Sequence, residues 1–236
     1  ICNPFGFEEV CAHRSLRHLA QAAAEAGIPA LRFDYAGCGN AEGDEFAPDL
    51  VGRWTQSVHA AIDHLERATG LTQVCLLGVR LGALLATLAA LERDDIAGLV
   101  ALAPVVRGRA YLRELTMLGE TGAAPAVAEA TDGVGDGLIE SAGFVMTRAT
   151  GAALAAIDLR GIDRPPAPRV LIVERDDLPA PPDWPATLER LGADVTRARW
   201  SGYAGMMADP QRTVVPEAII GGVLGQLQAW QDAGAL

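Results

Sequence analysis

The stretch Val74-Cys75-Leu76-Leu77-Gly78-Val79-Arg80-Leu81-Gly82-Ala83 decides how the chain is read. Gln73 to Leu77 is apolar and short, which predicts a buried strand, and Leu81 to Arg93 continues as a helix. The join is Gly78-Val79-Arg80-Leu81-Gly82. Two glycines around one side chain suit a sharp strand-to-helix turn, because the central residue is strained and its neighbours press backbone against backbone. Alone, the pattern is also compatible with simple close packing of a helix on a strand.

Outward from this turn the same alternation repeats. Ile1-Cys2-Asn3 reads as the tail of a strand broken by Pro4 and Gly6. His13 to Ala26 has helical period, with Leu16, Leu19, Ala20 and Ala23 on one face and Gly27 as a stop. Pro29 to Asp34 is expected to be a short buried strand and Tyr35 to Gly43 a glycine-rich loop. Asp49 to Thr69 predicts a long amphipathic helix with Trp54, Val58, Ile62 and Leu65 in one stripe. Beyond the turn come strands over Ala97–Ala103, Arg169–Glu174 and Val195–Trp200, and helices over Trp184–Leu191 and Val214–Asp232. This order predicts an α/β fold with a mostly parallel, doubly wound sheet. The pattern loosens between Val105 and Pro165, where short helical pieces (Arg107–Leu118, Thr147–Ala156) flank an Ala-, Gly- and Asp-rich tract, Gly119–Gly137. We expect residues 1–104 and 166–236 to form the core and 105–165 a helical lid without regular strands.

Composition narrows the function classes. The 236 residues include 30 acidic and 19 basic ones, for a net charge of −11, a sign that repels nucleic-acid backbones. All the basic residues are Arg, so no Lys-dependent chemistry is available. Cys2, Cys11, Cys38 and Cys75 form no Cys-x-x-Cys pair and no His, Asp or Glu cluster has metal spacing, so neither a zinc site, nor a disulfide framework, nor a cofactor is expected. The thiol usage fits a reducing cytoplasm. The apolar runs Leu81–Leu91 and Ile96–Val106 are shorter than a membrane span. Self-association is compatible with the sequence.

Four landmarks in order make the chain resemble the α/β-hydrolase superfamily over essentially its whole length. Asn3-Pro4-Phe5-Gly6 sits where that family places its oxyanion loop. Phe33-Asp34-Tyr35-Ala36-Gly37-Cys38-Gly39-Asn40-Ala41-Glu42-Gly43 looks like its D-x-x-G-x-G-x-S-x-G loop, with Asn40 in place of Ser. Gly78-Val79-Arg80-Leu81-Gly82 sits at the nucleophile elbow, and Arg175-Asp176-Asp177 where the family carries its acid. The G-x-R-L-G-A form, with Gly108-Arg109-Ala110-Tyr111-Leu112-Arg113-Glu114 after the next strand, is most similar to a bacterial subgroup that includes exosortase-associated hydrolase-like proteins. The resemblance also implies that Ile1 falls near the end of the third strand, with further strands expected upstream.

The departures from that family bear most on function. A triad needs a nucleophile, an imidazole to take its proton and an acid to orient the imidazole. Arg80 is a permanent cation with no nucleophilic lone pair. The loop Ser201-Gly202-Tyr203-Ala204-Gly205, where the family's His belongs, holds none; His13, His18, His59 and His64 all lie in the first third of the chain. Ordinary triad hydrolysis is therefore not expected. Two uses of Arg80 stay open. At the helix N-terminus its guanidinium can bind the carboxylate or phosphate of an acidic or acyl-bearing small molecule, with Phe5, Gly6, Val79, Leu81 and Tyr203 as neighbouring contacts. Alternatively it closes an internal salt bridge with Asp177, Asp176, Glu8 or Glu9.

A substitute catalytic set is the second functional expectation, an active hydrolase or acyltransferase using Cys11, His13 and Asp177, in which the helix N-terminus would favour the Cys11 thiolate. The plainer reading of that segment has Glu8 and Glu9 supporting the helix start and His13 and Arg14 on the surface. A third reading, carried only by the subgroup resemblance, is a scaffold subunit of an envelope or polysaccharide export system. In the insertion, Arg107, Arg109, Arg113 and Glu114 either line an entrance or form a solvated face, and Ser141–Met146 is an apolar run able to cover a pocket. Tyr203, Met206 and Met207 should make the wall without the His apolar.

Overall fold

A helix that is apolar all round has to be sunk inside the protein, and the stretch after the glycine turn meets that condition. Leu81, Ala83, Leu84, Leu85, Ala86, Ala89 and Ala90 are all buried. The computed structural model describes residues 1–120, 138–178 and 183–234. Its helices are α1 (Phe7–Glu25), α2 (Leu50–Thr69), α3 (Leu81–Leu91), α4 (Gly108–Glu120), α5 (Arg148–Ala156), α6 (Asp183–Arg190), α7 (Tyr203–Ala208) and α8 (Glu217–Asp232). Its strands are β1 (Val74–Val79), β2 (Ile96–Leu102), β3 (Leu138–Ser141), β4 (Phe144–Thr147), β5 (Arg169–Val173) and β6 (Asp194–Ala198).

The main sheet runs β1-β2-β5-β6 with every pair parallel, Leu77 opposite Val100, Ala101 opposite Ile172, and Ile172 opposite Arg197. Alternate residues feed two cores. Val74, Leu76, Leu99, Val170 and Ile172 face the side covered by α2, α3 and α6. Leu77, Val79, Val100, Leu102, Leu171 and Val173 face α1, α7 and α8. Helices on both faces of a parallel sheet make the fold α/β and doubly wound. No helix among the described residues is long and apolar enough to cross a membrane.

The glycines of the turn lie where backbone passes close against backbone. A Cβ on Gly82 would lie 2.2 Å from the Cys2 carbonyl oxygen, and one on Gly78 would lie 2.4 Å from the Ala83 Cα. Both neighbours are backbone and cannot swing away. Gly82→Ala is therefore expected to cost about 3 kcal/mol, the upper part of the range for overpacking. Urea unfolding checks this, and an unchanged midpoint would contradict the contact.

Three expectations need correction. Pro29–Asp34 forms no strand and is half-exposed or exposed. Its neighbour Ile1–Asn3 offers too little edge for a ladder, since only Cys2 bridges Gly78, and the segment is tied by the Ile1 amine donating to the Leu31 carbonyl (2.7 Å) and Asn3 Nδ2 to that of Phe33 (3.0 Å). The first helix starts at Phe7, six residues before the expected His13, because Gly6 at φ 64° turns the chain into it and Glu8 and Glu9 in its first turn favour the positive dipole end. Residues 105–165 are not purely helical. Between α4 and α5 they carry the antiparallel hairpin β3–β4, turned through Ala142 and Gly143, both at positive φ as a tight hairpin turn requires. Most of the Gly119–Gly137 tract falls in 121–137, outside the described residues.

Candidate functional site

Arg80 is the one residue between β1 and α3, at φ 52° and ψ −117°. A positive φ on a side-chain-bearing residue costs on the order of 1–3 kcal/mol and persists only where surroundings over-determine it. Here the Arg80 N–H donates to the Leu102 carbonyl (3.0 Å), and the Arg80 carbonyl accepts from Ala83 (3.0 Å) and Val105 (3.3 Å). The turn is thus bolted to the end of the neighbouring strand, and its side chain projects above the sheet's C-terminal edge.

The guanidinium is held on every side. Nε donates to Glu8 Oε1 at 2.6 Å, Nη2 donates to Glu114 Oε2, and Nη1 reaches the Ala103 carbonyl at 3.4 Å. The Tyr111 ring lies 5.6 Å from its centre, and Tyr111 Oη donates to the other Glu8 oxygen at 3.5 Å. Burial works against the Arg80 charge, but the Glu8 and Glu114 carboxylates outweigh it, so the cation is held. Burial also pushes the Glu8 carboxyl above its ordinary range, with Arg80 pulling it back. Of the four acids expected beside Arg80, only Glu8 hydrogen-bonds it; its second carboxylate is Glu114, brought over by α4.

The acid segment is divided between two tasks. Asp177 takes a bidentate pair from Arg175 at 2.9 and 2.8 Å, and that contact holds its carboxyl below the usual range. Asp176 accepts from the backbone N–H groups of Gly202 (2.7 Å) and Ala204 (3.0 Å). Against the burial that would raise it, those bonds lower its pKa. The loop that lacks a His is thus tied down through its backbone. Tyr203 fills that wall, 3% exposed under the Arg175 guanidinium at 5.1 Å, and burial raises its phenol so that it stays protonated.

The substitute catalytic set is not assembled. Cys11 lies on the second turn of α1, fully buried, and burial with Asp209 and Glu8 nearby pushes its thiol up to about 11. This corrects the expected thiolate: any helix-dipole assistance at the second turn is outweighed by desolvation. His13, two residues on, faces solvent on another side of the helix and contacts Arg32 (3.2 Å). Among the described residues no group of three His, Cys, Asp or Glu side chains is placed to hold a metal ion.

Beside Arg80 opens a cleft of about 240 Å³, walled by Pro104, Val106, Tyr111, Trp184, Arg107 and Arg175. Of the neighbours expected around a ligand, Val79 and Leu81 are buried in the two cores. Phe5 and Gly6 line a separate crevice of about 10 Å³ that β4 closes, with Phe144 3.3 Å from where a Gly6 Cβ would be. Tyr203 lies under Arg175 and outside the cleft wall. Arg109 and Arg113 are exposed on the far side of α4, so of that run Arg107 and Glu114 reach the cleft.

A family model for serine aminopeptidases of group S33 matches residues 6–131, more than half of the chain and including the elbow. The chain belongs to the serine aminopeptidase S33 family, within the α/β hydrolases. No curated protein matches it by sequence. Among solved structures, Est1E from Butyrivibrio proteoclasticus with ferulic acid bound is similar at 21% identity and a TM-score of 0.61, over 91% of this chain and 84% of that one. Mouse α/β hydrolase domain-containing protein 10 is similar at 17% identity and 0.59, over 98% and 86%. An esterase from Exiguobacterium antarcticum is similar at 15% and 0.58, over 91% and 87%. At these identities the likeness is one of fold. In this S33-family chain, the partner that sequence reasoning missed was Glu114. Its only signal was an acid three residues after Tyr111 on a helix that follows the strand beside the elbow.

Proposed function

We propose that this chain is a member of its family that binds a small acid in the cleft beside the elbow and does not hydrolyse esters. One observation carries the reading: residue 80, from which attack on a carbonyl would come, is a buried cation gripped by Glu8 and Glu114. Attack needs a lone pair on the elbow side chain and a base to take its proton, and Arg80 and Tyr203 supply neither. The remaining candidates, Cys11 and His13, are a protonated buried thiol and a surface imidazole. The ligand class rests on the cleft itself. Its lining is apolar and aromatic at Pro104, Val106, Tyr111 and Trp184, and carries Arg80, Arg107 and Arg175 beside Glu114 and Glu174. Est1E, similar in fold, holds ferulic acid, a carboxylic acid of comparable chemistry.

The test is a fluorophosphonate probe together with nitrophenyl esters of two to eight acyl carbons. The expected result is neither labelling nor turnover above the buffer rate. Ester turnover that disappears in Cys11→Ala or His13→Ala would overturn the reading and install the rearranged catalytic set in its place.

A further inference from the structure

Arg80 has one positive charge and two carboxylates, and the two are not equivalent. Glu8 sits beneath the elbow with its side chain 11% exposed, on the inner Nε, and is further held by the Tyr111 hydroxyl. Glu114 comes from α4, its side chain is 47% exposed, and it takes the outer Nη2. Water can solvate Glu114 as soon as it lets go, whereas Glu8 has nowhere to go. Two acids on one cation leave a net negative charge in a half-closed site, so the outer contact is the weaker one. Arg80 and Glu114 both line the cleft, whose other walls include Pro104, Val106 and Trp184.

We infer that Glu114 occupies the place of a ligand carboxylate, and that the cleft takes a small monocarboxylic acid with an apolar body whose carboxylate displaces Glu114 from Arg80 Nη2. The exchange conserves charge at Arg80, since one carboxylate replaces another, and it uses a planar donor fork suited to that group. The apolar body lies along Pro104, Val106 and Trp184, where about 240 Å³ holds about eight water volumes' worth of ligand. Arg107 lines the cleft as a further cation, while Arg175 is paired with Asp177 and Glu174 with Arg197. Because Glu114 is part of α4, displacement removes one of that helix's ties to the elbow, while Tyr111 on the same helix keeps its contacts with Arg80 and Glu8. This inference rests on the small-acid reading given above and adds the atom at which the acid binds and the group it expels.

Calorimetric titration of hexanoate and of hexanamide, its neutral counterpart, tests it on the wild type, on Glu114→Gln and on Glu174→Gln. The last removes a charge from the same cleft without touching Arg80. The expected result is hexanoate binding about tenfold tighter in Glu114→Gln than in the wild type, because the internal competitor is gone. Glu174→Gln should stay within twofold of the wild type, and hexanamide should bind weakly and equally in all three. Equal hexanoate affinity in wild type and Glu114→Gln, weaker binding in Glu114→Gln, or an equal gain in both variants overturns the displacement and leaves the small-acid reading standing. Absence of hexanoate binding in all three folded proteins overturns both.

Discussion

Arg80→Met lowers the unfolding free energy by about 3–5 kcal/mol, the cost of leaving one member of a buried ion pair without its partner. Met keeps the length and most of the volume of the side chain, so what is removed is the charge and the donor fork. Glu8 then faces Tyr111 alone, in a site that gives its carboxylate little solvent. Glu114 loses its contact too but is half in water and contributes little. The turn itself is unaffected, because Arg and Met pay the same strain at φ 52°. Removing the stranded charge as well, in Arg80→Met with Glu8→Gln, recovers most of the loss. Urea unfolding of the three proteins is the measurement. A single variant within 1 kcal/mol of the wild type would mean that Glu8 is not electrostatically dependent on Arg80.

The same variant has a diagnostic pH dependence. Burial already raises the Glu8 carboxyl in the folded protein, opposed by Arg80. A group raised on folding contributes its stability below the unfolded carboxylate range and loses it as pH rises through the folded value. Without Arg80 the folded value moves further up and that window widens. The deficit of Arg80→Met is therefore smallest at acid pH, where the Glu8 carboxyl is protonated, and grows across the acid-to-neutral range as Glu8 ionises. A deficit constant across that range would point to lost packing instead of a stranded charge.

Most of the sheet was legible because β1, β2 and β5 are short apolar runs, and the elbow because Gly78 and Gly82 mark a backbone crossing that no side chain survives. The long helix α2 was readable to within a residue, since Trp54, Val58 and Ile62 set its period and Gly70 its end. What the sequence could not give was set by distance along the chain. Glu114 reaches Arg80 across 34 residues, through the way the chain folds back after β2, and no local pattern encodes that pairing. The hairpin β3–β4 was missed because each strand has four residues, too few to show a period. Asp176 and Asp177 were interchangeable on paper. Only the positions of Gly202 and Arg175 separate a loop anchor from half of a surface pair.

Trp54→Ala is expected to cost about 3–5 kcal/mol, as truncation of a large buried aromatic does, and its consequences extend beyond α2. The indole is 1% exposed and stands between Phe5, with ring centres 5.4 Å apart, and Tyr35, at 6.2 Å. Its Nε1 donates to the Ala36 carbonyl at 3.2 Å, and Tyr35 Oη donates to the Asn3 carbonyl at 3.0 Å. One ring on α2 therefore ties to that helix two pieces with little regular structure of their own, the segment ending at Gly6 and the glycine-rich loop. With no ladder between Pro29–Asp34 and a neighbouring strand, these contacts are a main tie on that side of the sheet. Trp54→Phe should lose only about 1–2 kcal/mol, keeping a ring against Phe5 but forfeiting the Ala36 hydrogen bond. Hydrogen exchange separates this role from generic core loss. In Trp54→Ala the amides of residues 35–43 should lose protection well before those of β2 and β5, because the loop is released locally while the central strands open only with the whole fold. Loss of protection at the same rate in both regions would show that the ring supports the core as a unit and does not pin the loop.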